Sequence, residues 1–140
     1  MVKIQKYKRI DVLVNSAGHG PKGDILKIKD EDWILGMETY FLNVVRAVRI
    51  ITPIMKKQKS GSILNIGSDL SIISPNQEIY DGFTKPISYS IVKHGIIGLT
   101  KYISTYFAKD NIRCNTLCPG GIYNNQPSNF VRNLKKLIPL

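Results

Sequence analysis

Cysteine, tryptophan and acidic residues are scarce in this chain. The only two cysteines, Cys114 and Cys118, lie four residues apart, with no second Cys/His pair at metal-ligand spacing. That excludes a structural zinc site and a disulfide scaffold, and leaves two free thiols as the expectation. No apolar run approaches the roughly 20 residues that cross a bilayer, and Met1 is followed by basic residues without an apolar signal core. A cytoplasmic protein with no membrane partner is expected. Ten acids against twenty bases leave a net charge of +10, which opens the question of a polyanionic partner. The lysines are scattered over loops and helix ends, and the aromatics recur on apolar helix faces instead of alternating with lysines, so no nucleic-acid partner is expected.

What is present is organised as alternating strands and helices. The 140 residues make one domain, 1–140, with a basic lead-in at 1–9. Ile10–Val14, Ser62–Ile66 and Ile112–Leu117 are short, mostly apolar and rich in β-branched residues, the pattern of buried parallel strands. Between the first two, apolar residues recur from Trp33 through Met37, Tyr40, Val44, Val48 and Ile51 to Met55 at steps of three and four, a long helix that starts at Asp30. Pro53 is expected to kink or break it near its end. Ser88 is expected to cap a helix running to about Lys109, and Ser128 leads a weaker helical pattern to Leu137. Residues 69–87, with Pro75, Gly82 and Pro86, form a long connection of the kind that often serves as a lid.

Chemistry concentrates between Ser68 and Lys93. In Tyr89-Ser90-Ile91-Val92-Lys93 a phenol and an amine stand four residues apart, on one face of a helix. A fixed ammonium favours a phenolate. Bringing a phenol from its ordinary pKa of about 10 to neutrality takes about 4 kcal/mol of differential stabilisation. With seven tyrosines in the chain such a pair is almost supplied by chance. The order around it carries more weight: Asn15-Ser16-Ala17-Gly18 after the first strand, Ser68 after the second, Tyr89 and Lys93 opening a helix, and Pro119-Gly120 after the third.

In that order the chain resembles the short-chain dehydrogenase/reductase family, over about Ile10 to Leu140. The resemblance implies an α/β fold, a partial Rossmann-type three-layer sandwich with a short parallel sheet flanked by helices. It also implies an NAD(P)-dependent interconversion of an alcohol and a carbonyl by hydride transfer, with NAD or NADP as cofactor. By resemblance Tyr89 is the acid/base, Lys93 holds the nicotinamide ribose and lowers the phenol's pKa, and Ser68 orients the substrate carbonyl. Asn15, Ala17, Gly18, Pro119, Gly120 and Ile122 join Tyr89 and Lys93 on the cofactor side, Ile122 through its backbone. No metal is implied. The family's helix asparagine is replaced by Tyr40; Asn43, three residues on, is the candidate substitute in a proton relay, against its being an ordinary helix residue. The 30–58 and 88–109 helices are those through which the family dimerises. Pro86-Ile87-Ser88-Tyr89 and the run after Cys118 look like members acting on bacterial surface sugars or flagellin, pointing to a sugar derivative, whereas Asn43-Val44-Val45-Arg46 is similar to another reductase branch.

The family's opening strand, glycine-rich turn and helix, which hold the pyrophosphate, have no counterpart in this sequence. Strand by strand it corresponds to the C-terminal half of the domain, so the isolated chain is expected to bind dinucleotide poorly and to be inactive alone. Ile10–Val14 is then expected to form an open sheet edge. The rival from another class is a non-catalytic binding or assembly subunit derived from the same fold.

Overall fold

The computed structural model describes residues 8–138; most of the basic lead-in expected at 1–9 lies outside them. Three strands, β1 (Val12–Asn15), β2 (Gly61–Ile66) and β3 (Ile112–Leu117), form one parallel sheet in the order β1-β2-β3. The register pairs Leu13 with Ile63 and Ile63 with Cys114. Four helices accompany them: α1 (Asp30–Met37), α2 (Asn43–Gln58), α3 (Ile87–Tyr106) and α4 (Ser128–Leu137). The parallel α/β sheet expected from the sequence is present.

Parallel neighbours need crossover connections, and right-handed crossovers taken twice in the same direction put both helices on one face. α2 and α3 obey this. Val48, Ile51 and Met55 of α2 and Ile103 of α3 close over Ile63, Ile112 and Cys114 of the sheet in one buried cluster. Strand alternation then decides the opposite face: Val12 and Val14 are 58% and 53% exposed, where the sequence pattern predicts a strand buried on both sides. Among the described residues β1 pairs only with β2, so it is an edge, as expected. Gln58 pins its entry, donating to the Ile10 carbonyl at 2.9 Å and accepting from the Ile10 amide at 2.8 Å.

The long first helix differs from its expectation in two ways. It is interrupted by a π turn at Glu38–Leu42 between α1 and α2, and it runs unbroken through Pro53 to Gln58. A proline removes one hydrogen-bond donor; here Ile51, Thr52 and Met55 are buried around it, and that packing holds the helix. α2 ends at Lys59 in the left-handed conformation (φ 54°), a strained state for a side-chain-bearing residue. The Lys59 ammonium donates to buried Asp110 at 3.1 Å, and this bond, with Lys56, Lys59 and Lys109 nearby, holds the Asp110 carboxyl below its ordinary range. Ser88 does not cap α3. Pro86 stands at the cap without a side-chain bond, and the fully buried Ser88 hydroxyl has no hydrogen-bond partner. It lies where α3 meets α1: a Cβ at Gly36 would come within 2.9 Å of the Ser88 Cβ.

Candidate active site

In an open parallel sheet, loops at the carboxyl ends of the strands collect ligands. Here those ends deliver Asn15, Ser68 and Pro119. A polar network ties the three strands together beneath the surface. The Asn15 side-chain amide donates to Asn65 Oδ1 at 2.8 Å, Asn65 Nδ2 donates to Thr100 Oγ1 at 2.8 Å, and Thr100 shares a 2.7 Å bond with Thr116. Asn65 is completely buried on β2, a position where an unpaired amide would be costly.

Ser68 follows β2 and opens a one-turn 3-10 helix, Asp69–Ser71. Its amide donates to Ser71 Oγ at 3.0 Å, its own hydroxyl donates to Asp69 Oδ1 at 2.7 Å, and the Leu70 amide donates back to the hydroxyl at 3.2 Å. The Asp69 amide donates to the Pro119 carbonyl at 2.8 Å, fixing the Ser68 turn to the end of β3. Tyr89, in the first turn of α3, packs its ring perpendicular to Tyr40 at 5.6 Å between centroids. The π turn puts Tyr40 on the helix side facing Gly18 and Gly20, either of which would collide with its ring if it carried a Cβ. Burial pushes the Tyr40 phenol up, and Tyr89 adds to this.

Two ammonium groups flank the Tyr89 ring. Lys93 Nζ lies 5.5 Å from its centroid and donates to the Ile66 carbonyl at 2.7 Å. Lys85, from the 69–87 connection, lies closer, at 4.0 Å. Burial pulls both lysines below their ordinary pKa, Cys118 partly opposing this at Lys93 and Asp69 at Lys85.

Ser68, Asp69, Lys85, Tyr89 and Gly120 border one cavity of about 380 Å³, whose other wall is Ile73, Ile79, Phe130, Leu134 and Leu137. The 69–87 connection and α4 close it together: Tyr80 packs on Phe83 and Phe130, each at 5.3 Å, and Asn129 donates to Asp81.

Ser68, Tyr89, Lys93 and Gly120 are thus gathered at one end of the sheet, with Asn15 and Pro119 bracing it. Ala17 and Gly18 are exposed on the loop after β1. Two candidates stand apart. Asn43 is exposed, its amide donating to the Thr39 carbonyl at 3.4 Å and its oxygen accepting from Arg46 at 3.1 Å; the π turn sets Tyr40, not Asn43, against Tyr89. Ile122 is exposed outside the cavity, and its carbonyl is taken by Gln126 at 2.8 Å. Sequence reasoning missed Asn65, Asp69 and Lys85. Asn65 had a signal, a lone amide inside an apolar strand; Lys85 had only its place in the 77–85 stretch expected to lean over the substrate site.

The fold is a parallel α/β sheet of Rossmann type flanked by helices, with Ser68 following β2 and Tyr89 and Lys93 on α3. The chain belongs to the short-chain dehydrogenase/reductase family: residues 3–138 match the family model described as enoyl-(acyl carrier protein) reductase. It is 37% identical over 120 residues to the 3-oxoacyl-[acyl-carrier-protein] reductase of Thermotoga maritima, covering 85% of this chain and 45% of that protein. A solved short-chain dehydrogenase/reductase of Burkholderia xenovorans superposes with a TM-score of 0.83 at 22% identity, over 99% of this chain and 52% of that one. The short-chain dehydrogenase of Leptospira borgpetersenii, solved with bound NAD+, gives 0.71 at 32% identity over 88% and 48%. The chain spans about half the length of the curated relatives it matches. Among the described residues no helix is long and apolar enough to cross a membrane, and no cluster of three or more His, Cys, Asp or Glu is placed to hold a metal.

Proposed function

We infer that this chain carries the alcohol/carbonyl half of an NAD(P)-dependent oxidoreductase site, with Ser68, Tyr89 and Lys93 as its working groups. The observation that carries the reading is the cavity bordered by both Ser68 and Tyr89, with Lys93 on the same helix face as Tyr89. In reduction the Tyr89 hydroxyl gives its proton to the carbonyl oxygen. The Ser68 hydroxyl has one proton and spends it on Asp69 in the free site; on substrate binding it turns from Asp69 to the carbonyl oxygen and polarises it. The 69–87 connection acts as a lid, excluding water together with α4.

The residues present fit the nicotinamide end of a dinucleotide. Lys93 spends one of its three donors on Ile66, leaving two for ribose hydroxyls. Gly120 is open, with no atom within 4 Å of where a Cβ would stand, so a flat ring can approach the backbone. By resemblance Asn15, Ala17, Gly18 and Pro119 belong to the cofactor side, and the Ile122 amide, although outside the cavity, is proposed for the carboxamide. NAD or NADP, when bound, supplies or accepts the hydride. No glycine-rich pyrophosphate turn occurs in the sequence, so the chain alone is expected to bind dinucleotide weakly and to be inactive. Joined to the N-terminal half of the Thermotoga maritima relative, it is expected to oxidise NADH or NADPH in the presence of a ketone. Robust turnover by the chain alone, or none by a folded joined protein that binds NADPH, would count against this reading and, in the second case, favour the binding-subunit alternative.

The substrate is a small alcohol or carbonyl compound, a sugar derivative being one class the sequence points to. Self-association is proposed through α1–α2 and α3, which expose Ile34, Leu35, Ile50, Ile91, Tyr102 and Tyr106; covering such a surface stabilises a dimer. Sedimentation equilibrium is expected to give a dimer, and a monomer at all concentrations contradicts it. The unpaired thiols Cys114 and Cys118 fit a reducing, cytoplasmic location.

A further inference from the structure

We propose that Lys85 is the specificity-determining residue of this site and that it recognises a carboxylate next to the reacting carbon, so that the substrates are small 2-oxo or 2-hydroxy acids with an apolar tail. The inference deepens the reading above and rests on it.

The position of the ammonium is the first ground. Lys85 Nζ stands 4.0 Å over the centroid of the Tyr89 ring, nearer than Lys93 at 5.5 Å. A carbonyl oxygen hydrogen-bonded to the Tyr89 hydroxyl has its carbon just past that hydroxyl, and a carboxylate attached to that carbon can fold back over the ring face toward Nζ. An anionic group many bonds away would fall outside its reach.

The second ground is that this ammonium is half-buried and unanswered. Among the described residues it makes no hydrogen bond and no ion pair. The carboxylate bordering the same cavity, Asp69, forms no ion pair with it, and Asp69 Oδ1 accepts from the Ser68 hydroxyl and from the Leu70 amide, each at 2.7 Å. The faces of Tyr89 and, at 5.9 Å, Tyr80 attract the charge but cannot accept three N–H groups. Partial burial draws the Lys85 pKa down, with Asp69 partly opposing this, and a bound carboxylate supplies the hydrogen-bonded partner the ammonium lacks among the described residues.

The third ground is that the lysine is held in place. Its backbone amide donates to Gln77 Oε1 at 2.9 Å, the Gln77–Ile79 turn is capped by Asn76, and Tyr80 locks this turn against Phe130 of α4. Beyond the charged end the cavity is walled by Ile73, Ile79, Phe130 and Leu134, which suits a branched or straight apolar tail.

The test is an NMR titration of the isotopically labelled 140-residue chain with 4-methyl-2-oxopentanoate and with its methyl ester, which share the ketone and the tail and differ in charge. The acid is expected to shift the amides of Ser68 to Leu70, Lys85 and Ile87 to Ser90 and to bind about tenfold tighter than the ester. Lys85→Met, which keeps the apolar stem, is expected to remove the difference; Lys85→Arg is expected to keep it; Ser68→Ala is expected to weaken acid and ester alike. If the unaltered chain binds acid and ester equally, or the preference survives in Lys85→Met, the role of Lys85 is overturned while the carbonyl site stands. If neither compound moves these amides, both the proposal and the reading beneath it fall.

Discussion

Tyr89→Phe is expected to lower ketone reduction by about 10²–10⁴-fold in the protein that joins this chain to the N-terminal half of the Thermotoga maritima relative. The substitution removes one oxygen and little else. The ring keeps its edge contact with Tyr40 at 5.6 Å and its place under Lys85, so packing, the cavity walls and dinucleotide affinity are expected to persist. What is lost is the hydroxyl proposed to give its proton to the carbonyl oxygen. The loss therefore falls in kcat with little change in KM. Lys93→Met is expected to behave differently, because its ammonium donates to Ile66 and has donors left for a ribose: the apparent affinity for NADPH falls along with the rate. Tyr89→Phe turnover within about threefold of the unaltered protein would remove Tyr89 from the chemistry.

Asn65→Ala is expected to cost about 2–3 kcal/mol of stability, read as a fall in the denaturant midpoint at unchanged slope. Against a total of about 5–15 kcal/mol for a domain, this is a large share for one surface-neutral change. Asn65 is completely buried and links three elements: it accepts from Asn15 on β1, donates to Thr100 on α3 at 2.8 Å, and approaches the Cys114 sulfur on β3 at 3.6 Å. Alanine leaves the Asn15 amide without its acceptor and opens a small void beside Ile63 and Cys114. Thr100 keeps its bond to Thr116, which limits the damage. Because Asn15 sits at the end of the edge strand, the same change is expected to loosen the loop that carries Ala17 and Gly18. A midpoint shift worth less than about 0.5 kcal/mol would show that the network is ornamental.

How much of this could be read from the residues differs by element. β3 falls where the run Ile112–Leu117 places it, and β2 differs by one residue, because short β-branched runs between turn signals leave few alternatives. β1 was legible as a strand but not in its exposure: burial on both faces depends on which way the crossovers run, and both helices here lie on one side. The π turn at Glu38–Leu42 left no trace in the apolar spacing, since steps of three and four pass through it unbroken. It decides, however, that Tyr40 meets Tyr89 and that Asn43 turns to solvent. Pro53 was a clear local signal outweighed by the buried residues around it.

At the site, Ser68, Tyr89 and Lys93 were legible because each is tied to the end of a strand or the start of a helix. Lys85 was not, because its place over Tyr89 is set by a connection whose path depends on contacts far along the chain, among them Tyr80 with Phe130 and Asp81 with Asn129. Ser88 was misread from its type alone: a serine at a helix start is usually a cap, but here the α1–α3 contact at Gly36 requires a small residue.

The most direct test of the central reading is isotopic. NADH and NADPH carrying deuterium at the transferable position are supplied, with a 2-oxo acid and with a neutral ketone, to the joined protein, and the alcohol product is examined by mass spectrometry. Deuterium at the carbinol carbon, in product formed about 10²–10⁴-fold more slowly when Tyr89 is replaced by phenylalanine, is the predicted result. A folded joined protein that binds the labelled cofactor yet delivers no deuterium to any carbonyl compound would contradict it, and would leave the chain a binding or assembly module built on a dehydrogenase fold.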